Sequence, residues 1–421
     1  MRNLIKSLFF GKLAKAGSWL FIGSIISGIL GYLFQIILGR MLSVAEYGVF
    51  NTIISIMVLT GAPLITLLML VSRKVSSYRP VLYENHRTHL FYNVNLKIVM
   101  ILVVFASFAL INLEYLQDFL QLEKTIYLYL LIILLFVAFP QSVNNAYLQG
   151  LQYFKWLSLS GVITTLLKII ISVVLIYAGL GLTGALGGVL ISSFLVLILT
   201  YVVLLPSLRG KVDNYSGGKH FTIKSAIPVL LANVAFSVMT QIDMVLVKHY
   251  FSEQDAGLYA AASILGKAVM YLPGGIAMAL FPMVAESHAD GKSSAHFLIQ
   301  AVVITTLLCT IGAFFYYYLS DSIIVLLYGE NYRPAAEILK YFGFAMLPMA
   351  LIMVAEHFLI AMGKVLFAYL FMIVAPLQLI AIYYNHDSML SIVLILAITG
   401  FTLALLGYGL LWKVYSNGKT T

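Results

Sequence analysis

Five polar side chains stand inside or at the ends of long apolar runs: Lys168, Lys267, Asp243, Gln141 and Gln149. A charge at bilayer depth is costly unless it faces protein or water, so such groups mark candidate substrate or ion sites. Lys168 lies about twelve residues into its run, ~18 Å deep at helical rise. Lys267 lies at a similar depth in a later run, so each half of the chain supplies one lysine. Two ammonium groups and one carboxylate in a low-dielectric setting suit an anionic ligand. A drug extruder for organic cations would carry acids there instead. Gln141, Asn145 and Gln149 follow Pro140 at helical spacing and share one face, which either glues helices together or lines a cavity. The competing readings of the charges are a structural ion pair between Asp243 and Lys267 and, for Asp243 nearer one membrane face, solvation there. Glu356 sits near a helix end, where it can snorkel. The eight histidines form no cluster at metal spacing, so no metal site is expected. Gly418-Lys419-Thr420 imitates the end of a phosphate-binding loop, but the earlier glycine is absent and no strand precedes it, so no nucleotide cofactor is expected.

These residues need elements to hold them, and composition names the class. Hydrophobic residues make up 62% and charged residues 10% of 421 residues, too few charges to cover a soluble surface of that size. About 20 apolar residues span a bilayer core, and twelve such runs can be read. They centre on residues 17–38, 47–71, 90–112, 125–147, 156–178, 184–205, 226–247, 257–283, 296–319, 335–360, 365–384 and 389–412. Only Gly179-Leu180-Gly181-Leu182-Thr183-Gly184 separates the fifth run from the sixth, which leaves a kink as the alternative to a turn. The eleventh is short and holds Pro376 and Gln378. With both termini cytoplasmic, seventeen lysines and arginines fall inside and five outside, namely Arg40, Lys124, Lys248, Arg333 and Lys340. The net charge of +9 therefore reads as positive-inside topology and not as a nucleic-acid surface. The basic N-terminus leads into a run long enough to span, so no cleavable signal peptide is expected. All loops are short, which leaves no room for a soluble catalytic domain and argues against an enzyme.

A motif repeats along the chain. Leu42-Ser43-Val44-Ala45-Glu46-Tyr47-Gly48-Val49-Phe50 and Phe251-Ser252-Glu253-Gln254-Asp255-Ala256-Gly257-Leu258-Tyr259 share a pattern, with Gly48 and Gly257 209 residues apart. Lys15 and Lys224, and Lys155 and Lys364, keep that spacing. Twelve spans and an offset of half the chain predict two parallel six-helix repeats. The fold class is thus an all-α membrane protein, twelve transmembrane helices in two parallel six-helix repeats. The expected division is a basic amphipathic segment 1–15, a first lobe 16–206, a cytoplasmic linker 207–224, a second lobe 225–413 and a tail 414–421.

Several stretches resemble the polysaccharide transporter family. They are Gly39-Arg40-Met41-Leu42-Ser43-Val44-Ala45-Glu46-Tyr47-Gly48, Tyr147-Leu148-Gln149-Gly150-Leu151-Gln152-Tyr153-Phe154-Lys155, Gly179 to Ala185, Gln241-Ile242-Asp243 with Gly257-Leu258-Tyr259, Phe281-Pro282, and Leu327-Tyr328-Gly329-Glu330-Asn331-Tyr332. The resemblance covers nearly the whole chain. It implies a two-lobed bundle with a central cavity and membership of the superfamily that includes multidrug extruders and peptidoglycan lipid flippases. It implies flipping of a polyprenyl-pyrophosphate-linked oligosaccharide across a bacterial inner membrane for O-antigen, capsule or exopolysaccharide assembly. The lipid-linked oligosaccharide and the bilayer are then the partners, with room for a complex with a polysaccharide polymerase. Some relatives bind a cation in the second lobe with several carboxylates; Asp243 has no acidic companion in the last two runs, which puts such a site in doubt. The alternative within the fold is a cation-coupled multidrug exporter. A membrane glycosyl-transfer enzyme needs a larger outer loop than Leu113 to Lys124.

Overall fold

The structure is a computed structural model that describes residues 12–77, 84–210, 227–274, 284, 295–361 and 366–417. Twelve long helices run through these residues: α1 Lys12–Met41, α2 Val44–Ser77, α3 Glu84–Ile111, α4 Ile126–Gly150, α5 Phe154–Leu175, α6 Gly181–Leu204, α7 Ile227–Tyr250, α8 Glu253–Tyr271, α9 Ala295–Tyr328, α10 Ala335–Ala361, α11 Leu366–Tyr384 and α12 Met389–Asn417. A short helix, Leu113–Phe119, joins α3 to α4. All twelve apolar runs are therefore helices. The last extends to Asn417, so part of the expected tail is helical. Residues 1–11, the linker from 211 onward with Lys219 and Lys224, the end of the eighth run with Phe281-Pro282, and Lys364 lie outside the described residues. Ten stretches among the described residues are long and apolar enough to cross a membrane, one of them running Phe154–Ser207 through α5 and α6. The more polar α8, with Glu253, Asp255 and Lys267, is not among the ten.

The run Gly179 to Gly184 is a turn and not a kink. Gly179 has φ +86 and Gly181 has φ +47, a region costly for a residue with Cβ. The chain reverses there and α6 packs back along α5. Ser172 of α5 donates to the Ala185 carbonyl at 3.1 Å, and a Cβ on Gly188 would fall 2.6 Å from Ser172 Cα. Small residues of this kind let backbones approach where lipid supplies no hydrophobic drive between helices.

Two compact units emerge: residues 1–53 with 63–222, and residues 54–62 with 223–421. In the first, α1 packs on α5, α3 on α4, α4 on α6 and α5 on α6. In the second, the pairs are α7 with α11, α9 with α10, α10 with α12 and α11 with α12. Each of these four pairs is its counterpart moved on by six helices, as repeats require; α8 also packs on α10.

Both repeat motifs fold alike. Ser43 Oγ accepts from Glu46 N at 3.2 Å, and Glu46 Oε2 accepts from Ser43 N at 3.0 Å. This reciprocal arrangement is a capping box, which satisfies orphan donors at the start of α2. Ser252 Oγ accepts from Asp255 N at 3.1 Å and caps α8. Glu46 reaches further than its counterpart. Its Oε1 accepts from Leu182 N at 3.3 Å, tying the start of α2 to the start of α6.

Candidate functional site

In unit 1, α5 carries a polar stripe at four-residue spacing: Ser160, Thr164 and Lys168. Facing it from α4, Gln141 Nε2 donates to Thr164 Oγ1 at 3.4 Å, and Ser160 Oγ donates to Asn145 Oδ1 at 3.4 Å. Asn144, on another face, donates to the Leu197 carbonyl and to Thr200 Oγ1 of α6, so it joins helices. Gln149 stands exposed in the last turn of α4, one helical step beyond Asn145. Polar side chains thus run along the α4–α5 seam from Gln149 toward Lys168. Lys168 itself is half-buried, and its ammonium lies 4.4 Å from the centroid of the Phe34 ring on α1. That is within the ~6 Å reach of a cation–π contact. Among the described residues no carboxylate forms an ion pair with it.

In unit 2 the charges close on one another. Lys267 Nζ of α8 sits 3.1 Å from Asp243 Oδ1 and 3.0 Å from Oδ2 on α7. Tyr259 of α8 donates to Asp243 Oδ2 at 2.9 Å. Asp243 is fully buried, so of its two structural alternatives the ion pair is the one formed and solvation near a membrane face is not. The physical reason is local: an isolated buried carboxylate costs several kcal/mol, roughly, and an ammonium plus a phenol hydroxyl offset that cost. Lys267 is directed at Asp243 and not at open space. Beside the pair, Gln378 of α11 donates to the Met239 carbonyl at 3.0 Å and accepts from Thr399 of α12 at 3.1 Å, joining three helices. Ser55 donates to Gln241 Oε1 at 3.3 Å in the same unit.

The structure thus groups Gln141 and Lys168 along one seam, leaves Gln149 at its exposed end, and joins Asp243 to Lys267. Sequence reasoning missed Phe34 and Tyr259. The repeat register carried the signal for both. Phe34 and Asp243 are 209 residues apart, as are Phe50 and Tyr259. The rings of Phe34 and Phe50 meet edge-on at 5.9 Å in unit 1, where unit 2 has the Asp243–Tyr259 hydrogen bond. No group of three or more metal-ligating side chains occurs among the described residues.

The helices make a multi-pass membrane fold shared with solved MATE transporters and with the flippase MurJ. The family model described as "Polysaccharide biosynthesis protein" matches residues 13–288, and a second, MatE, matches residues 228–385. The chain belongs to the polysaccharide biosynthesis protein family, whose model covers more than half of it. It is similar to an inward-facing multidrug resistance MATE family transporter, with a TM-score of 0.76, 14% identity and coverage of 96% of this chain and 99% of the other. It is similar to the lipid II flippase MurJ in an inward closed conformation, with a TM-score of 0.72, 17% identity and coverage of 94% and 87%. A MOP superfamily transporter from Pyrococcus furiosus, described as having a binding pocket of reversed polarity, matches with a TM-score of 0.65, 17% identity and 94% of each chain. At such identities these likenesses define the fold. Among curated proteins, "Lsg locus putative protein 1" of Haemophilus influenzae is 23% identical over 147 residues, 34% of this chain. The match spans 37% of that relative's length.

Proposed function

We propose that this chain is a flippase for a polyprenyl-pyrophosphate-linked oligosaccharide, moving it from the cytoplasmic to the outer leaflet of a bacterial plasma membrane by alternating access. Both termini are cytoplasmic, and the chain divides into the lobes 16–206 and 225–413 joined by the cytoplasmic linker 207–224. The observation that carries this reading is Lys168, a lysine deep in a membrane helix that rests on an aromatic ring and pairs with no carboxylate among the described residues. A pyrophosphate crossing a low-dielectric region needs a cation there. The seam of Gln141, Asn145 and Gln149 offers amide donors and acceptors to sugar hydroxyls. Family membership and the fold shared with a lipid II flippase support the same cargo class. O-antigen, capsule and exopolysaccharide units are the candidate glycans.

Deletion of the gene, followed by extraction of lipid-linked glycans from each leaflet, tests the reading. The expected result is accumulation of one polyprenyl-pyrophosphate glycan on the inner leaflet, reversed by the wild-type gene. The second reading, a cation-coupled multidrug exporter, draws on the likeness to MATE transporters. Asp243, the carboxylate it would need, is already engaged by Lys267 and Tyr259. Raised sensitivity to cationic dyes with no glycan accumulation would decide for the exporter.

A further inference from the structure

We infer that Phe34 is a positioning residue that leaves the Lys168 ammonium open to an anionic phosphate, and that Asp243, its counterpart in the second repeat, withdraws Lys267 from that role. The inference rests on the flippase reading and assigns its anion contact to one unit.

The argument starts from register. Position 34 of α1 and position 243 of α7 are related by the same 209 residues that relate the two capped hairpins. Each meets a lysine at bilayer depth, but the lysines come from different helices. Lys168 arrives from α5, the fifth helix of its repeat, and Lys267 from α8, the second helix of its repeat. The same backbone position thus receives an ammonium in both units and answers it with different chemistry. In unit 2 the answer is a carboxylate, and the ammonium shares both its oxygens. Two opposite unit charges at that distance bind far more strongly than a ring quadrupole binds a cation. A phosphate approaching Lys267 would have to displace Asp243 and leave that carboxylate buried without its cation, which is unfavourable. In unit 1 the answer is the face of Phe34, and Phe50 backs that ring edge-on where unit 2 has Tyr259. A ring face holds the ammonium in place without neutralising it. It competes weakly with an incoming phosphate, whose charge-assisted hydrogen bonds replace a contact of lower strength. Thr164, one turn before Lys168 and bonded to Gln141, leads the polar seam to this point. The two lysines therefore divide their duties. Lys168 receives the anion, and Lys267 holds α8 to α7.

The test measures binding of a sugar-free polyprenyl diphosphate to the purified full-length protein in detergent, with the uncharged polyprenol of equal length as control. The parent protein is expected to prefer the diphosphate. Phe34→Asp copies the unit 2 pair into unit 1 and is expected to lower diphosphate affinity at least ~10-fold, the scale of a lost charge-assisted contact. Polyprenol binding should not change, and the melting temperature should be equal or higher. Phe34→Tyr, which keeps the ring, should stay within about twofold of the parent, because the cation–π contact survives. Lys168→Gln should lose diphosphate preference to the same extent as Phe34→Asp, and it carries the test if Phe34→Asp fails to fold. Lys267→Met paired with Asp243→Leu should keep the preference. A parent protein that does not distinguish diphosphate from polyprenol overturns both the inference and the flippase reading. A parent that distinguishes them, with Lys168→Gln or a folded Phe34→Asp doing so equally well, overturns the inference alone.

Discussion

Lys267 divides its ammonium between the two oxygens of the fully buried Asp243, 3.1 Å from one and 3.0 Å from the other. Removing one partner of such a pair leaves an uncompensated buried charge, whereas replacing both with apolar groups is often close to neutral. Asp243→Asn or Lys267→Ala alone should each destabilise the protein by roughly 3–5 kcal/mol. The double change Asp243→Leu with Lys267→Met should recover most of that loss. Thermal unfolding in detergent, followed by size-exclusion fluorescence, reads the difference. Single variants as stable as the parent would show that the pair contributes nothing to the fold.

The two capped hairpins should respond unequally. Ser43→Ala and Ser252→Ala each lose an N-cap, worth about 1 kcal/mol. Glu46→Ala should cost more than Asp255→Ala, because Glu46 also holds Leu182 N at the start of α6. Gly181→Ala should be the most damaging change at this corner. Its Cβ would lie 2.8 Å from Glu46 Oε1 at a backbone φ of +47. A stability series of these five variants in one detergent checks the order.

Topology is open to direct labelling. With both termini cytoplasmic, cysteine introduced at Asp118 should react with an impermeant maleimide from outside intact cells, and cysteine at Lys219 should not. The natural Cys309 is buried and serves as the silent background. Labelling at Lys219 from outside would contradict the seventeen-to-five charge asymmetry as a guide to orientation.

The turn between α9 and α10 carries an acid-sensitive contact. Arg333 Nε donates to Glu330 Oε2 at 2.8 Å, and this hydrogen bond holds the Glu330 carboxyl below its ordinary range. A depressed carboxyl contributes order above its free value and loses that contribution as pH falls through its bound value. Amide exchange across residues 329–334 should therefore accelerate as pH drops through the carboxylate range, after correction for intrinsic rates. Glu330→Gln should flatten that response. The effect is confined to this turn, because the pair is exposed.

The elements were legible because the bilayer imposes a length and a polarity on each one. All twelve runs could be read for that reason, and the Ser–x–x–acid caps because helix starts reuse a small chemistry. The α5–α6 turn was ambiguous for the opposite reason. Its six residues hold no charge, and only the positive φ of Gly179 and Gly181 separates a reversal from a bend. Asp243 and Lys267 could be named as partners from sequence, yet helix rotation decides whether they meet, and no spacing rule sets rotation between α7 and α8. Tyr259 stood in the repeated motif as the counterpart of Phe50, but its hydroxyl could not be assigned to Asp243 because that contact also depends on how α7 and α8 are rotated. Phe34 was invisible as an apolar residue in an apolar run, since a ring facing a cation leaves no mark in hydropathy. Carried inward from the repeated hairpin to the spans, the offset of 209 would have set Phe34 against Asp243.

Helix α9 is 34 residues long, about 51 Å at helical rise, while a hydrocarbon core measures about 30 Å. Its tyrosines Tyr316, Tyr317 and Tyr318 stand ten residues before its end, and tyrosine collects at the headgroup boundary. If that run marks the boundary, the ten residues to Tyr328 reach about 15 Å past it. They include Asp321, which approaches Arg333 at 3.5 Å. A thicker membrane would submerge this projecting stalk and its acid; a thinner one would strand apolar turns in water. Bilayer thickness is therefore a control variable for the α9–α10 turn, one that reconstitution into lipids of graded acyl length can adjust without altering a residue.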